Sequence, residues 1–336
     1  MKAAVLREAG RLAAEHWPEP VIRTGELLLR LRGCGLCGSD IAKVGASGTR
    51  VPVVLGHEVV GTVVEVGSGV TGFAVGDRVV AAHHVPCGAC HYCRRESPSM
   101  CAAFKASNLD PGGFAEYVRV PADNVRHATF KVPPHVTDEA ASFVEPLACC
   151  LRAVRRASVL PEDTAAVVGL GSIGCLFVQL LRRAGARVVG VDVLPDRLAL
   201  SRRLGAEAVG TPDAALPLVQ SVSAGRGADL VMITGGGASV LPWASSAVRD
   251  GGAIHYFAGG PGEALPLPLD TLYKRELTVA ATYSSSPADL AAAFALVVSG
   301  EISTEPLISH HLSLDRVAEG VALMRRQAAM KVFVTP

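Results

Sequence analysis

Four cysteines, Cys87, Cys90, Cys93 and Cys101, fall inside one short segment, PCGACHYCRRESPSMC. Their spacing lets a single loop wrap one tetrahedral ion, and four thiolates leave no open coordination position. Such a centre is structural, because a saturated metal binds no substrate. The same pattern can ligate an iron–sulfur cluster, and four free thiols in a surface loop are the plain alternative. His83 and His84, just before the segment, are possible ligands too but read better as lining a strand end; His91, inside it, reads as solvated.

A second set is scattered. Cys37 lies in GLCGSD, His57 and Glu58 in LGHEVVG, and Glu145 in FVEPLACC. Thiolate, imidazole and carboxylate from separate segments form a ligand set of mixed hardness. Fewer than four permanent protein ligands leave zinc a position for water or substrate. A water bound to zinc falls from a pKa of about 15.7 to about 7, worth about 12 kcal/mol. An alcohol responds in the same sense, which lets hydride leave its carbon at neutral pH. Each residue also has an ordinary reading: Cys37 as packing between glycines, His57 as a satisfied core histidine. Cys34, three before Cys37, makes a C-x-x-C pair that competes as a redox motif. Cys149, Cys150 and Cys175 read as packing residues.

Gly169, Gly171 and Gly174 spell G-x-G-x-x-G, with Ser172 and Ile173 inside it, directly between a strand pattern and a helix pattern. The first glycine permits the tight turn, the second lets backbone amides approach a pyrophosphate, and the third lets helix and strand pack closely. The helix N-terminus favours the anion. Asp192 ends the next strand at the distance where a carboxylate accepts from ribose hydroxyls and repels a 2′-phosphate. The reading is therefore NAD over NADP, with nearby Arg197 pulling the other way.

The elements that must position these groups fall into two styles. As far as about residue 146, short segments such as ELLLRLRGCG, VVGTVVEVGSGV, GDRVVAAH and GGFAEYVRVP mix β-branched residues with turn residues and predict an irregular, barrel-like β domain. From Thr164, strand and helix alternate: AAVVGLG, SIGCLFVQLLRRAGA, RVVGVD, PDRLALSRRLGA, ADLVMITGG, ASVLPWASSAVRDGG and AIHYFAGG. That alternation predicts a parallel, doubly wound sheet. PADLAAAFALVVSGEI reads as a further helix, KVFVT as a last strand, and His310 and His311 as surface residues near a turn. The 336 residues carry a formal net charge of +1, 49% hydrophobic and 19% charged residues. This excludes a disordered chain and argues against a nucleic-acid partner. The start lacks the apolar core of a signal peptide, and no apolar run reaches membrane-spanning length. A cytoplasmic protein is expected, and a reducing compartment favours metal over disulfides.

Together GLCGSD, GHEVVGTVVEVGSGVTGFAVGDRV, the four-cysteine lobe, GGFAEYV, EPLACC and GLGSIG resemble the zinc-containing medium-chain alcohol and polyol dehydrogenases over nearly the whole chain. Glu145, where classical alcohol dehydrogenases carry cysteine, resembles the sorbitol and threonine dehydrogenase branches. The resemblance implies a GroES-like catalytic domain (residues 1–146, completed by 286–336), a Rossmann domain (147–285) and a homodimer or homotetramer. It implies one catalytic and one structural zinc per chain. Cys37 and His57 resemble the two constant catalytic ligands, and Glu58 a carboxylate that ligates directly or transiently. Glu145 resembles one that ligates or holds the zinc-bound water. Ser39 resembles the hydroxyl that takes the substrate proton, and Asp40 a carboxylate orienting its neighbours. One departure stands out: the relay histidine of many relatives is replaced by Ala42. The implied activity is NAD-dependent oxidation of a secondary alcohol to its ketone, in a polyol, cyclitol, sugar or hydroxy-amino acid. An NADP-preferring carbonyl reductase of the same family and a non-catalytic zinc-containing interaction protein are the competing readings.

Overall fold

The computed structural model describes residues 1–258 and 264–336. The chain divides into two units, Met1–Ala148 with Ser285–Pro336, and Cys149–Ser284.

In the first unit, strand Leu27–Gly35 buries alternate residues, with Leu27, Leu29 and Leu31 on the core side and Arg30 and Arg32 turned outward. It pairs antiparallel with Glu58–Val66, which pairs with Arg78–Ala81, which pairs with Thr129–Lys131. Its other edge takes Tyr117–Val120 and, near its end, the C-terminal strand Val332–Thr335, so the C-terminal segment completes the sheet of the first unit. A separate three-stranded sheet joins Lys2–Glu8, Arg11–His16 and Val53–Val54. The core between them is apolar, with Leu6, Leu29, Val59, Phe114 and Val118 all at most 2% exposed. Each such side chain contributes about 1.5–3 kcal/mol by leaving water.

The second unit holds a parallel six-stranded sheet. Ala208–Gly210, Arg187–Val191, Thr164–Val168, Ala228–Ile233, Val248–Tyr256 and Thr278–Ala281 lie side by side in that order. In chain order this is 3-2-1-4-5-6, the Rossmann arrangement, whose crevice lies at the carboxyl ends of the first and fourth strands. Helices cover both faces, so the central strands read as unbroken apolar runs; Thr164–Val168 is buried throughout. The fold class is thus a β-rich unit plus a doubly wound Rossmann unit.

Several elements differ from the sequence reading. Glu145 and the EPLACC motif lie on a helix, Val144–Ala157. Pro212–Val222 is helical with Pro217 inside it, where no element was expected. His310 and His311 belong to a strand, His310–Ser313, paired with the C-terminal strand. The strand predicted from AIHYFAGG begins earlier, at Val248, and runs through Gly251 and Gly252; the final GG of that motif, 259–260, lies outside the described residues. No helix among the described residues is long and apolar enough to cross a membrane.

Candidate active site and metal centres

Cys37 stands at the N-terminus of helix Gly38–Gly45, and Asp40 on the first turn turns back toward it. The Cys37 amide donates to Asp40 Oδ2 at 3.1 Å and the Gly56 amide to Oδ1 at 3.2 Å. His57 follows, its Nδ1 3.3 Å from Asp40 Oδ1. Asp40 therefore ties the cysteine segment to the histidine segment. With Nδ1 facing the carboxylate, Nε2 is left for a ligand. Burial pushes Asp40 up, but His57 and the two amides outweigh it and hold the carboxyl below its ordinary range. Burial pushes His57 down, and Asp40 and then Cys37 outweigh it, raising it well above an ordinary histidine.

Glu58 opens the strand Glu58–Val66 and is 1% exposed. Lys331 Nζ donates to its Oε1 at 2.6 Å and also contacts Oε2. Burial pushes Lys331 down, but Glu58 and Cys37 outweigh it and raise the ammonium above its ordinary value. Gly35, on the neighbouring strand, makes the room: a Cβ there would lie 1.8 Å from Glu58 Oε2. Glu145, on the first turn of its helix, has Oε1 4.0 Å from His83 Nδ1. Burial first, then the charges of His57, His84 and Lys43, hold His83 well below an ordinary histidine.

The donor atoms of Cys37, His57 and Glu58 lie within 4.8 Å of one another, as do those of His57, His83 and Glu145. The structure thus brings together the four scattered residues singled out from sequence, through a shared histidine, and adds His83. Ser39 is exposed on the first turn of the cysteine helix, with Ala42 and Lys43 exposed further along it. Thiolate, imidazole and carboxylate converging in a buried place fit zinc. His83 Nδ1, buried with no hydrogen-bond partner among the described residues, is an atom that such an ion would satisfy.

The four sulfurs of Cys87, Cys90, Cys93 and Cys101 also lie within 4.8 Å of one another. Cys87 is exposed, Cys90 and Cys93 are half-buried and Cys101 is buried. The short helices His91–Arg94 and Ala102–Ala106 start at Cys90 and Cys101 and turn the chain so that the thiols converge. A four-sulfur set of this closeness suits zinc and no open position. His91 is exposed, and His84 Nδ1 sits 2.6 Å from the Ser107 carbonyl.

In the second unit, Gly169 (φ +87°) ends the first strand, and Ser172 and Ile173 open the helix Ser172–Arg183. A Cβ on Gly174 would lie 1.8 Å from the Gly169 carbonyl oxygen, so helix and strand cross with nothing between them. Asp192 lies just past the second strand, 7% exposed. Its Oδ2 accepts from the Leu170 amide at 2.6 Å and its Oδ1 from the Leu194 amide at 2.9 Å. A carboxylate so fixed keeps further lone pairs for a ligand. Arg197 Nη1 stands 3.6 Å from Oδ2.

Two family models match the chain: the alcohol dehydrogenase GroES-like domain over residues 23–133 and the zinc-binding dehydrogenase over residues 172–299. The chain belongs to the zinc-containing medium-chain alcohol and polyol dehydrogenases. Sorbitol dehydrogenase of Halalkalibacterium halodurans is 30% identical, covering 100% of this chain and 99% of the relative. L-threonine 3-dehydrogenase of Bacillus velezensis is 31% identical over 100% and 99% of the two chains. The solved alcohol dehydrogenase of Thermus sp. ATN1 superposes with a TM-score of 0.88 at 30% identity, covering 100% and 99%. This dehydrogenase is thus an oxidoreductase that uses zinc and a nicotinamide dinucleotide.

Lys331 was not singled out from sequence. Nothing around it in the terminal MKVFVT marks it, and its partner lies 273 residues away. The sequence offers His83 as a possible ligand of the four-cysteine lobe or a strand-end residue, not as a neighbour of Glu145.

Proposed function

We propose that this dehydrogenase oxidises a secondary alcohol carbon of a polyol, cyclitol, sugar or hydroxy-amino acid, with NAD as acceptor. The observation that carries this reading is the pair of donor groups that share His57, Cys37 with Glu58 on one side and Glu145 with His83 on the other. A carboxylate there, rather than a second sulfur, supports the branch that handles polar substrates. Cys37, His57 and Glu145 would hold the catalytic zinc, with Glu58 beside them, and the four-cysteine lobe the structural one. When bound, zinc supplies Lewis-acid polarisation of an alcohol oxygen and nicotinamide supplies the hydride acceptor.

The chain's own groups prepare this. Asp40 orients His57 through Nδ1 and ties its loop to that of Cys37. Ser39 takes the substrate hydroxyl proton; with Ala42 in the relay position, that proton passes on through ribose or water. Gly169, Gly171, Ser172, Ile173 and Gly174 receive the pyrophosphate on backbone amides, and Asp192 accepts from the adenosine ribose. Arg197, 3.6 Å from Asp192, favours a second reading in which a 2′-phosphate is tolerated and the enzyme is an NADP-preferring carbonyl reductase.

The test is a panel of polyols, cyclitols, threonine and simple secondary alcohols assayed with both cofactors in both directions. Oxidation of a polar substrate with NAD, lost in Cys37→Ala with one zinc per chain, is the expected result. Full activity in Cys37→Ala or His57→Ala sinks it. Within the same reading the protein is a cytoplasmic homodimer or homotetramer, for which light scattering gives the mass.

A further inference from the structure

The donors around His57 form two overlapping groups, and they are not equally free to take a metal. Glu58, in the first, is already ion-paired: Lys331 Nζ contacts both carboxylate oxygens, and the two side chains are 0% and 4% exposed. A fixed buried ammonium repels a second cation at the same carboxylate.

His83, in the second group, is the opposite case. Its Nδ1 is buried and has no hydrogen-bond partner among the described residues. It stands 4.0 Å from Glu145 Oε1, and its ring lies 4.5 Å from that of His57, tilted by 44°. Behind it, the His84 ring lies at 3.9 Å, tilted by 40°, with its own Nδ1 on the Ser107 carbonyl, which fixes the segment in place. A buried nitrogen left unpaired costs free energy unless something at the site satisfies it. Two imidazoles and a carboxylate whose donor atoms lie within 4.8 Å of one another are a zinc donor set in their own right.

We propose that His83 is a ligand of the metal in the substrate-free protein, together with Cys37, His57 and Glu145, while Lys331 withholds Glu58. The proposal rests on the reading above that zinc occupies this place. It departs from the ligand set that the family resemblance implies, in which Glu58 is a candidate and His83 is not. His83 then holds the position that a substrate oxygen needs, and the two compete for it.

The test exchanges the metal of this site for cobalt, counts the metals per chain and records X-ray absorption at the cobalt edge. Two imidazole ligands in the wild type, and one in His83→Phe and in His83→Ala, are expected. A single imidazole in the wild type, with cobalt bound, overturns the assignment and leaves the zinc reading intact. A protein that takes up no second metal overturns both. The wild-type spectrum alone decides the matter, so the outcome does not hang on how well either variant folds.

Discussion

Lys331, just ahead of the last strand of the chain, donates to Glu58 at 2.6 Å in the interior of the first unit, with both side chains almost fully buried. The pair links the C-terminal segment to the strand that Glu58 opens, directly after His57. Gly35 is the third partner by default, because any side chain there would occupy the space of the carboxylate. The pair holds one carboxylate in place beside a donor cluster that needs others.

Removing one member strands the other. Lys331→Met leaves an uncompensated buried carboxylate, and breaking a buried pair in this way costs about 3–5 kcal/mol. Glu58→Gln with Lys331→Met removes both charges and recovers most of that loss. A double-mutant cycle by denaturant unfolding checks this. Additive losses in the double variant contradict a direct coupling.

Gly174 and Gly171 separate packing from cofactor binding. Gly174→Ala puts a Cβ 1.8 Å from a backbone oxygen that cannot move without shifting the loop. Overpacking of this kind costs about 1–3 kcal/mol. Gly171→Ala meets nothing nearer than Arg197 at 3.9 Å, at an ordinary φ of −67°. Gly174→Ala is expected to lower both Tm and dinucleotide affinity, and Gly171→Ala the affinity alone. Calorimetry of unfolding and of NADH binding reads the two quantities. A fall in Tm for Gly171→Ala, with affinity untouched, contradicts the assignment.

These glycines were legible because their reasons are local. A tight turn, an amide approach and a close crossing all fall within six residues, and Asp192 follows one strand later. The parallel strands were legible for a related reason: buried on both faces, TAAVV and LVMI carry no polar alternation. The four-cysteine lobe reads off its spacing. What was hidden lies far apart in sequence or contradicts a local rule. Lys331 meets Glu58 only when the C-terminal strand joins the sheet of the first unit, and His83 meets Glu145 only when the strand Arg78–Ala81 and the helix Val144–Ala157 are both in place. Pro217 hid a helix because proline normally ends one. Gly251 and Gly252 looked like a turn inside a strand that runs through them.

The two metal centres are expected to respond differently to loss of a single ligand. Cys90→Ser opens the sulfur set that shapes the lobe, so one zinc is lost and Tm falls. Cys37→Ser removes a donor from a place already tied together by Asp40, so one zinc and the activity are lost with a smaller change in Tm. Metal analysis and thermal unfolding on the two variants check this. Equal Tm losses indicate that the lobe does not depend on its ion.

His255 sets a pH dependence in the second unit. It is 1% exposed, its Nε2 lies 2.9 Å from Thr282 Oγ1, and burial, followed by the charge of Arg156, holds it down at about 4. In the unfolded chain the same imidazole titrates near its ordinary value of about 6.5. Between about pH 6.5 and 4 the unfolded state binds the extra proton and the folded state does not, so stability falls as the pH drops through that window and levels off below it. The full loss is roughly 3 kcal/mol. Above about pH 7 both states are neutral at this position and it contributes no slope. Denaturant unfolding at intervals from pH 8 to pH 5 measures the effect, with His255→Asn as the comparison. The wild type should lose stability more steeply below pH 6.5 than the variant, and parallel curves exclude His255 as the source.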